Sequence, residues 1–243
     1  MTKSIDVGEV IRRTFRIYVD QAPVLMPAAA VVFAISGVLR VVLTAASPGL
    51  SLLGSLVALI ATTLYTGMVT ELVSDVRDGR RDASAGQLLS AVMPVLGQLI
   101  LVAVVAGVGI LIGFLLIVIP GLILLTIWSV AAPVVVLERP GGLRALSRSR
   151  ELVRGNGWNV FAVILVLVIL LVIVAGALEI GAVAVSTAVG VVVTVVVGIL
   201  LTPISSLAAA VLYFELRDAH AVEVPPEPDL PPMQSGGFPP AAE

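Results

Sequence analysis

The sequence predicts an all-α protein, a polytopic transmembrane helix bundle of about six spans arranged as three helical hairpins, with amphipathic helices at the interface. Three observations carry that expectation. Charged residues make up 12% of the chain and hydrophobic ones 59%, where a soluble domain carries about 25% charged residues. Too little polar surface remains to wrap the chain in water. Apolar runs long enough to cross a bilayer recur along it, and the basic residues, Arg40 apart, fall in the terminal segments and those between alternate runs.

A membrane-spanning helix needs about 20 mainly apolar residues. The first run is 22–46, closed by the turn signal Ser47-Pro48-Gly49. It is too long for a signal peptide core and is expected to stay in the membrane. The second run is 50–73, followed by the polar segment Asp75–Asp82. From Val95 to Leu137 no residue is charged, and as one helix this stretch would measure about 65 Å, twice the hydrocarbon core. It must turn. Pro120-Gly121 is the expected place, because Pro lacks the amide proton and Gly accepts positive φ. That gives spans 95–119 and 122–137, the latter kinked at Pro133. The fifth span is 158–178 and the sixth about 190–214, with 180–189 as an outer turn or helix extension.

Charge sets the orientation. With both termini in the cytoplasm, 13 of the 14 basic residues fall on the inner side and the outer turns hold none, as the positive-inside rule requires. Each hairpin is led by a short amphipathic helix: 4–19, with Asp6 and Glu9 as a capping pair; 84–92, opened by a Ser84…Gln87 capping box; and 143–153, with Gly155 as its C-cap. These helices are expected at the inner interface, apolar face in acyl chains and arginines among headgroups. Residues 1–217 thus form the membrane domain. The segment 218–243 holds seven prolines and is acidic, which predicts a disordered cytoplasmic tail.

Chemistry is mostly excluded by inventory. There is no Cys, and the one His, His220, falls in the predicted tail, so thiolate, zinc and Ser-His arrangements have no material. No phosphate-binding or dinucleotide fingerprint is present. The sequence calls for no catalytic residue, cofactor, metal or nucleic acid, and an enzyme is not expected. The exceptional charge is Arg40, the one basic residue inside a span. A mid-bilayer Arg costs about 2.5–3.5 kcal/mol on insertion scales, so it either snorkels outward or pairs with Glu179, the acid near the outer ends of the spans. Gly109 and Gly113 form a GxxxG, expected to let helices of one chain approach closely.

One segment carries a pattern. Ile119-Pro120-Gly121 is followed by Trp128-Ser129, then Ala132-Pro133 through Glu138, then Ser149, Glu151, Arg154, Gly155, Asn156 and Trp158. This resembles the membrane domain associated with some glycerophosphoryl diester phosphodiesterases, and is similar to the YciC-like bacterial inner-membrane proteins. The resemblance implies a bacterial inner-membrane bundle with a cytoplasmic basic segment. It does not imply phosphodiesterase activity, which belongs to a separate soluble barrel. In that segment Arg139, Arg144, Arg148, Arg150 and Arg154 are candidate contacts for anionic lipid headgroups, each worth about 1 kcal/mol near the surface.

The function expected is therefore that of a non-enzymatic accessory, scaffold or lipid-interacting protein, its partners being membrane lipids and an unidentified membrane or cytoplasmic protein. The alternatives are a small-solute or lipid transporter, for which Thr62, Thr63, Tyr65 and Thr66 are the one polar cluster on offer, and an interfacial enzyme using the carboxylates of the inner loops.

Overall fold

The computed structural model describes residues 5–79 and 84–221, all of whose regular structure is helical. Lys3, Arg80, Arg81, Asp82 and the proline-rich segment 222–243 lie outside the described residues. Six segments are long and apolar enough to cross a membrane: Ala22–Leu43, Leu52–Arg77, Ala85–Leu116, Val118–Leu137, Gly157–Gly181 and Val192–Ala221.

Helix α1 (Val7–Asp20) begins where the Asp6 carboxylate accepts from the amides of Gly8 and Glu9 at 2.8 and 3.2 Å, filling donors that a helix start leaves open. Glu9 does not share the capping. It pairs with Arg12 at 2.9 Å on the exposed face, one turn along the same helix. The other face, Val10, Thr14 and Ile17, is buried, and α1 packs along α10 (Thr187–Ala221). Protein, not acyl chain, covers the apolar side of this helix.

The first hairpin joins α2 (Ala22–Ala46) to α3 (Ser51–Arg77) through a 3-10 turn at Pro48–Leu50. The complete Ser84–Gln87 capping box starts α4 (Ala85–Val92), and the 3-10 turn Met93–Val95 leads into α5 (Leu96–Leu116). The next connection departs from the sequence expectation. The chain turns at Ile117, extended at φ −159° and ψ 144°, and α6 (Val118–Ile127) already contains Pro120 and Gly121. Pro120 sits in the first turn of α6, where its missing amide proton has no intrahelical partner to lose. Gly121 serves as a close-approach position. A Cβ on Gly113 would lie 2.9 Å from both the Cα and the N of Gly121, and one on Gly109 would lie 2.6 Å from the Trp128 ring. The GxxxG thus packs α5 on its own hairpin partner.

Pro133 acts one turn before itself. The fourth segment breaks at Trp128–Val130 and resumes as α7 (Ala131–Leu137), because a proline gives no N–H to the carbonyl four residues back and its ring clashes there. After α8 (Gly142–Val153), Gly155 takes φ +91°, the left-handed geometry that lets the chain leave a helix sharply. Then α9 (Gly157–Val185) runs seven residues beyond the expected end of its span. It turns at Ser186, whose Oγ accepts from the Val189 amide at 3.2 Å, so of the two expectations for 180–189 the helix extension holds over most of the segment. The start of the predicted tail is helical too. Asp218 pairs with Arg77 at 2.5 Å, Ala219 is buried and His220 contacts the Leu216 carbonyl through Nδ1 at 2.9 Å, which carries α10 to Ala221.

Helix α10 is the hub, packing on α1, α2, α3, α7, α8 and α9. The core clusters Tyr65, Leu72, Leu99, Leu152, Leu207, Leu212, Tyr213 and Leu216 around it. Outward-facing positions on the long helices are Val, Leu and Ile, the belt a membrane helix turns to lipid.

Candidate functional site

The segment that carries the family-like pattern folds into one locale, built from α6, α7, α8 and the first turns of α9. At its centre is Glu138, just past the end of α7. Its Oε2 accepts from Arg148 Nε at 2.9 Å and its Oε1 from the Tyr213 hydroxyl at 3.0 Å. One carboxylate therefore ties α7 to α8 and to α10. Arg148 also reaches Glu151 at 3.3 Å. Burial works against the Arg148 charge, but the hydrogen bonds and fields of Glu138 and Glu151 outweigh it and hold the guanidinium above its ordinary value.

Ser149 is fully buried and donates from Oγ to the Ile127 carbonyl at 2.8 Å. That carbonyl belongs to the last residue of α6, whose end the Trp128–Val130 break leaves short of intrahelical donors. The serine caps it from another helix. We expect Ser149→Ala to cost about 1 kcal/mol, read as a lowered unfolding midpoint of the purified protein.

Around this node the same end of the bundle is laced by further pairs. Arg13 meets Glu215 at 2.7 Å, and Arg77, besides Asp218, lies over the Phe214 ring at 4.8 Å. Arg217 lies over the rings of Phe214 and Tyr213 at 4.9 and 5.8 Å. Tyr213 and the partners Glu215 and Asp218 were not singled out from sequence. The available signal was their spacing, with Tyr213 and Arg217 four residues apart at the charged end of the last apolar run.

Of the five candidate lipid contacts, Arg148 is thus engaged by carboxylates. Arg139 adopts φ 50° and donates to the Val136 carbonyl at 3.4 Å. Arg144, Arg150 and Arg154 are exposed, and no ion pair among the described residues includes them.

Beside α8 lies an open cavity of about 750 Å³. Its walls are Ile119, Leu122, Ile123, Thr126 and Ile127 of α6 and the segment Gly155–Asn159 with Phe161. Asn156 is 4% exposed, and its Oδ1 accepts from the Ile5 amide at 3.4 Å. Its Nδ2 is buried with no hydrogen-bond partner. Trp158, at the rim, is 84% exposed.

Three of the four hydroxyls of the cluster on α3 are already bonded to backbone carbonyls. Thr62 donates to the Ala58 carbonyl at 2.9 Å, Thr66 to that of Thr62 at 2.9 Å, and Tyr65 to that of Leu25 at 3.1 Å. Thr63 is buried. None of the four lines this cavity, nor a second one of about 260 Å³ between α5, α6, α9 and α10. Arg40 lies in α2 and Glu179 in α9. The Arg40 stem lies against Gly54 of α3, where a Cβ would meet its Cγ at 3.1 Å, and α10 packs on both α2 and α9. Among the described residues no group of three or more His, Cys, Asp or Glu is placed to hold a metal ion.

A family model described as "Domain of unknown function (DUF8558)" matches residues 84–217, more than half of the chain. A UPF0259 membrane protein of Pectobacterium carotovorum subsp. carotovorum (strain PC1) is 35% identical over 107 residues, which is 44% of this chain and 42% of that relative. The similarity is distant and supports the resemblance to the YciC-like membrane proteins. No solved structure matches.

Proposed function

The chain belongs to the DUF8558 family and is a multi-pass membrane protein, and from that premise we propose that it is a non-enzymatic component of the bacterial cytoplasmic membrane. Both termini lie in the cytoplasm, and the exposed arginines of α8 hold anionic lipid headgroups. In this role the protein is an accessory or scaffold whose partners are lipids and a neighbouring protein.

The observation that supports this reading is the use made of the carboxylates at the basic end. Asp6 caps α1, Glu9 pairs with Arg12, Glu215 with Arg13, Asp218 with Arg77, and Glu138 and Glu151 with Arg148. Asp6, Glu9 and Glu151 act within one helix and Glu138, Glu215 and Asp218 join neighbouring ones, and acids engaged this way are poorly placed for proton transfer. Arg144, Arg150 and Arg154 remain turned outward, which suits headgroup phosphates.

Two measurements test the reading. The chain lacks cysteine, so single Cys substitutions at Ser47, Ser147 and Val185, all exposed, are labelled in intact cells with an impermeant thiol reagent. Labelling is expected at 47 and 185 only; labelling at 147 reverses the orientation. The protein purified in mild detergent is expected to retain phosphatidylglycerol over phosphatidylethanolamine. The triple variant R144Q/R150Q/R154Q should lower that enrichment at least about tenfold, given about 1 kcal/mol per arginine. Unchanged enrichment removes the lipid-holding role.

A further inference from the structure

The outward face of α8 carries positive charge that the rest of the described structure does not use. Ala145, Leu146, Ser149, Leu152 and Val153 are buried, so the opposite side of the helix faces away from the bundle. Arg144, Arg150 and Arg154 stand there, exposed and outside the described ion pairs. Arg150 and Arg154 are one turn apart and share a strip of surface. Four residues further on, Trp158 is 84% exposed. The acid of the helix itself is spent, since Glu151 pairs with Arg148.

One segment of this chain has the complementary composition. Residues 222–230 hold Glu223, Glu227 and Asp229, three prolines and no basic residue. Carboxylates suit guanidinium groups, and proline-rich segments pack on aromatic rings. Position favours the match as well. Helix α10 packs on α8, and Tyr213 is joined to Arg148 through Glu138, so the chain leaves Ala221 at the end of the bundle where α8 lies. Eight residues reach at most about 28 Å when extended, whereas α8, with 12 residues, is about 18 Å long. Arg217, over the Tyr213 ring at 5.8 Å, adds positive charge on the side of α10 that meets Glu138.

We propose that residues 222–230 dock on the outward face of α8, with Glu223, Glu227 and Asp229 against Arg144, Arg150 and Arg154 and the prolines against the Trp158 ring. The segment then competes with anionic headgroups for the same arginines. The competition rests on the lipid-holding reading above and adds its regulation, whereas the docking stands without it. Exposed ion pairs are individually weak, but a tether of this length keeps the segment at about millimolar effective concentration, and its prolines leave it fewer conformations to give up. A contact of this strength is displaced by a membrane rich in anionic lipid.

The chain has no native cysteine, so disulfide formation reads the contact directly. In the purified full chain Leu230→Cys is paired with Ser147→Cys, exposed among the α8 arginines, or with Ala85→Cys, exposed at the start of α4. Under mild oxidation the first pair is expected to close at least about tenfold faster than the second. Adding R144Q/R150Q/R154Q, or about 1 M salt, should remove the advantage, and Trp158→Ala should lower it. No advantage over the Ala85 pair, or a disulfide that joins two chains, overturns the docking; an unchanged rate in Trp158→Ala overturns the proline contact. Regulation is read as phosphatidylglycerol retained over phosphatidylethanolamine by the purified protein. E223Q/E227Q/D229N should raise that ratio about threefold in the wild-type background and not at all beside R144Q/R150Q/R154Q. An unchanged ratio in a protein that still prefers phosphatidylglycerol overturns the competition alone. If neither the wild type nor the acid variant prefers phosphatidylglycerol while the disulfide advantage holds, the lipid-holding reading falls and the docking stands.

Discussion

Replacing Gly113 by alanine is expected to separate α5 from α6 and to cost more than any other single-methyl addition in the bundle. The added Cβ would sit 2.9 Å from the Cα and N of Gly121, and backbone atoms cannot swing aside as a side-chain tip can. Elsewhere the chain has such an escape. At Gly67 a Cβ would meet a Val92 methyl at 2.6 Å, and at Gly109 the edge of the Trp128 ring. At Gly113 the helices themselves must move apart, and close packing is what holds helices together where lipid and protein are equally apolar. Overpacking of this kind costs about 1–3 kcal/mol and occasionally more. Gly107, six residues earlier on the same helix, has no atom within 4 Å of its would-be Cβ. Gly107→Ala is therefore expected to be neutral or slightly stabilising, since alanine is the better helix former. The comparison is read from unfolding midpoints of the two purified variants in one detergent. Equal effects of G113A and G107A would show that the α5–α6 contact carries no stability.

That contact also shows how far the sequence reached. Whatever depends on neighbouring residues could be read directly. The Asp6 cap and the Ser84–Gln87 box are satisfied within four residues, and a Gly after a basic amphipathic helix has few roles other than the left-handed exit that Gly155 makes. The apolar runs were legible for the same reason, because length and lack of charge are local properties. The turn at Ile117 was not. It is a one-residue connection between apolar neighbours, with no polar residue to mark it, while Pro120-Gly121 nearby carries the usual signature of a turn. Proline ends one helix as readily as it occupies the first turn of the next, and only the Gly113–Gly121 approach distinguishes the two. The break at Trp128–Val130 was displaced from its cause, since Pro133 disturbs the residue four before it. The node at Glu138 lay further out of reach. Its partner Tyr213 is 75 positions away, and Arg13 and Glu215 are 202 apart. A charge census counts such residues without pairing them.

Removing the Glu138 carboxylate should loosen α7, α8 and α10 from one another together. In Glu138→Ala both the Arg148 guanidinium and the Tyr213 hydroxyl lose their acceptor. The side chains of Glu138 and Arg148 are 26% and 40% exposed, so water and Glu151 recover part of the loss for the arginine, and the pair counts for less than a buried one. Tyr213 is 1% exposed, and although Arg217 beside it can still donate to the phenol oxygen, its proton has no such recourse. An expected cost of about 1–2 kcal/mol follows, most of it from the stranded phenol. Glu138→Gln keeps one acceptor oxygen, enough for Tyr213, but gives up the charge and turns an NH2 group toward Arg148, so it should fall between E138A and the wild type. The double-mutant cycle makes the assignment specific. Tyr213→Phe alone should cost about 1 kcal/mol, whereas in the E138A background it should cost nothing or give some stability back, because the unpaired hydroxyl is then gone. A fully additive result, with Y213F equally costly in both backgrounds, would show that Glu138 and Tyr213 act separately and that α8 is held to the bundle by its buried apolar face alone. Limited proteolysis at the exposed Glu138-Arg139 connection gives a second readout. It should quicken in E138A, more weakly in E138Q, and stay at the wild-type rate in a Glu9→Ala control, whose ion pair with Arg12 joins only residues of one helix.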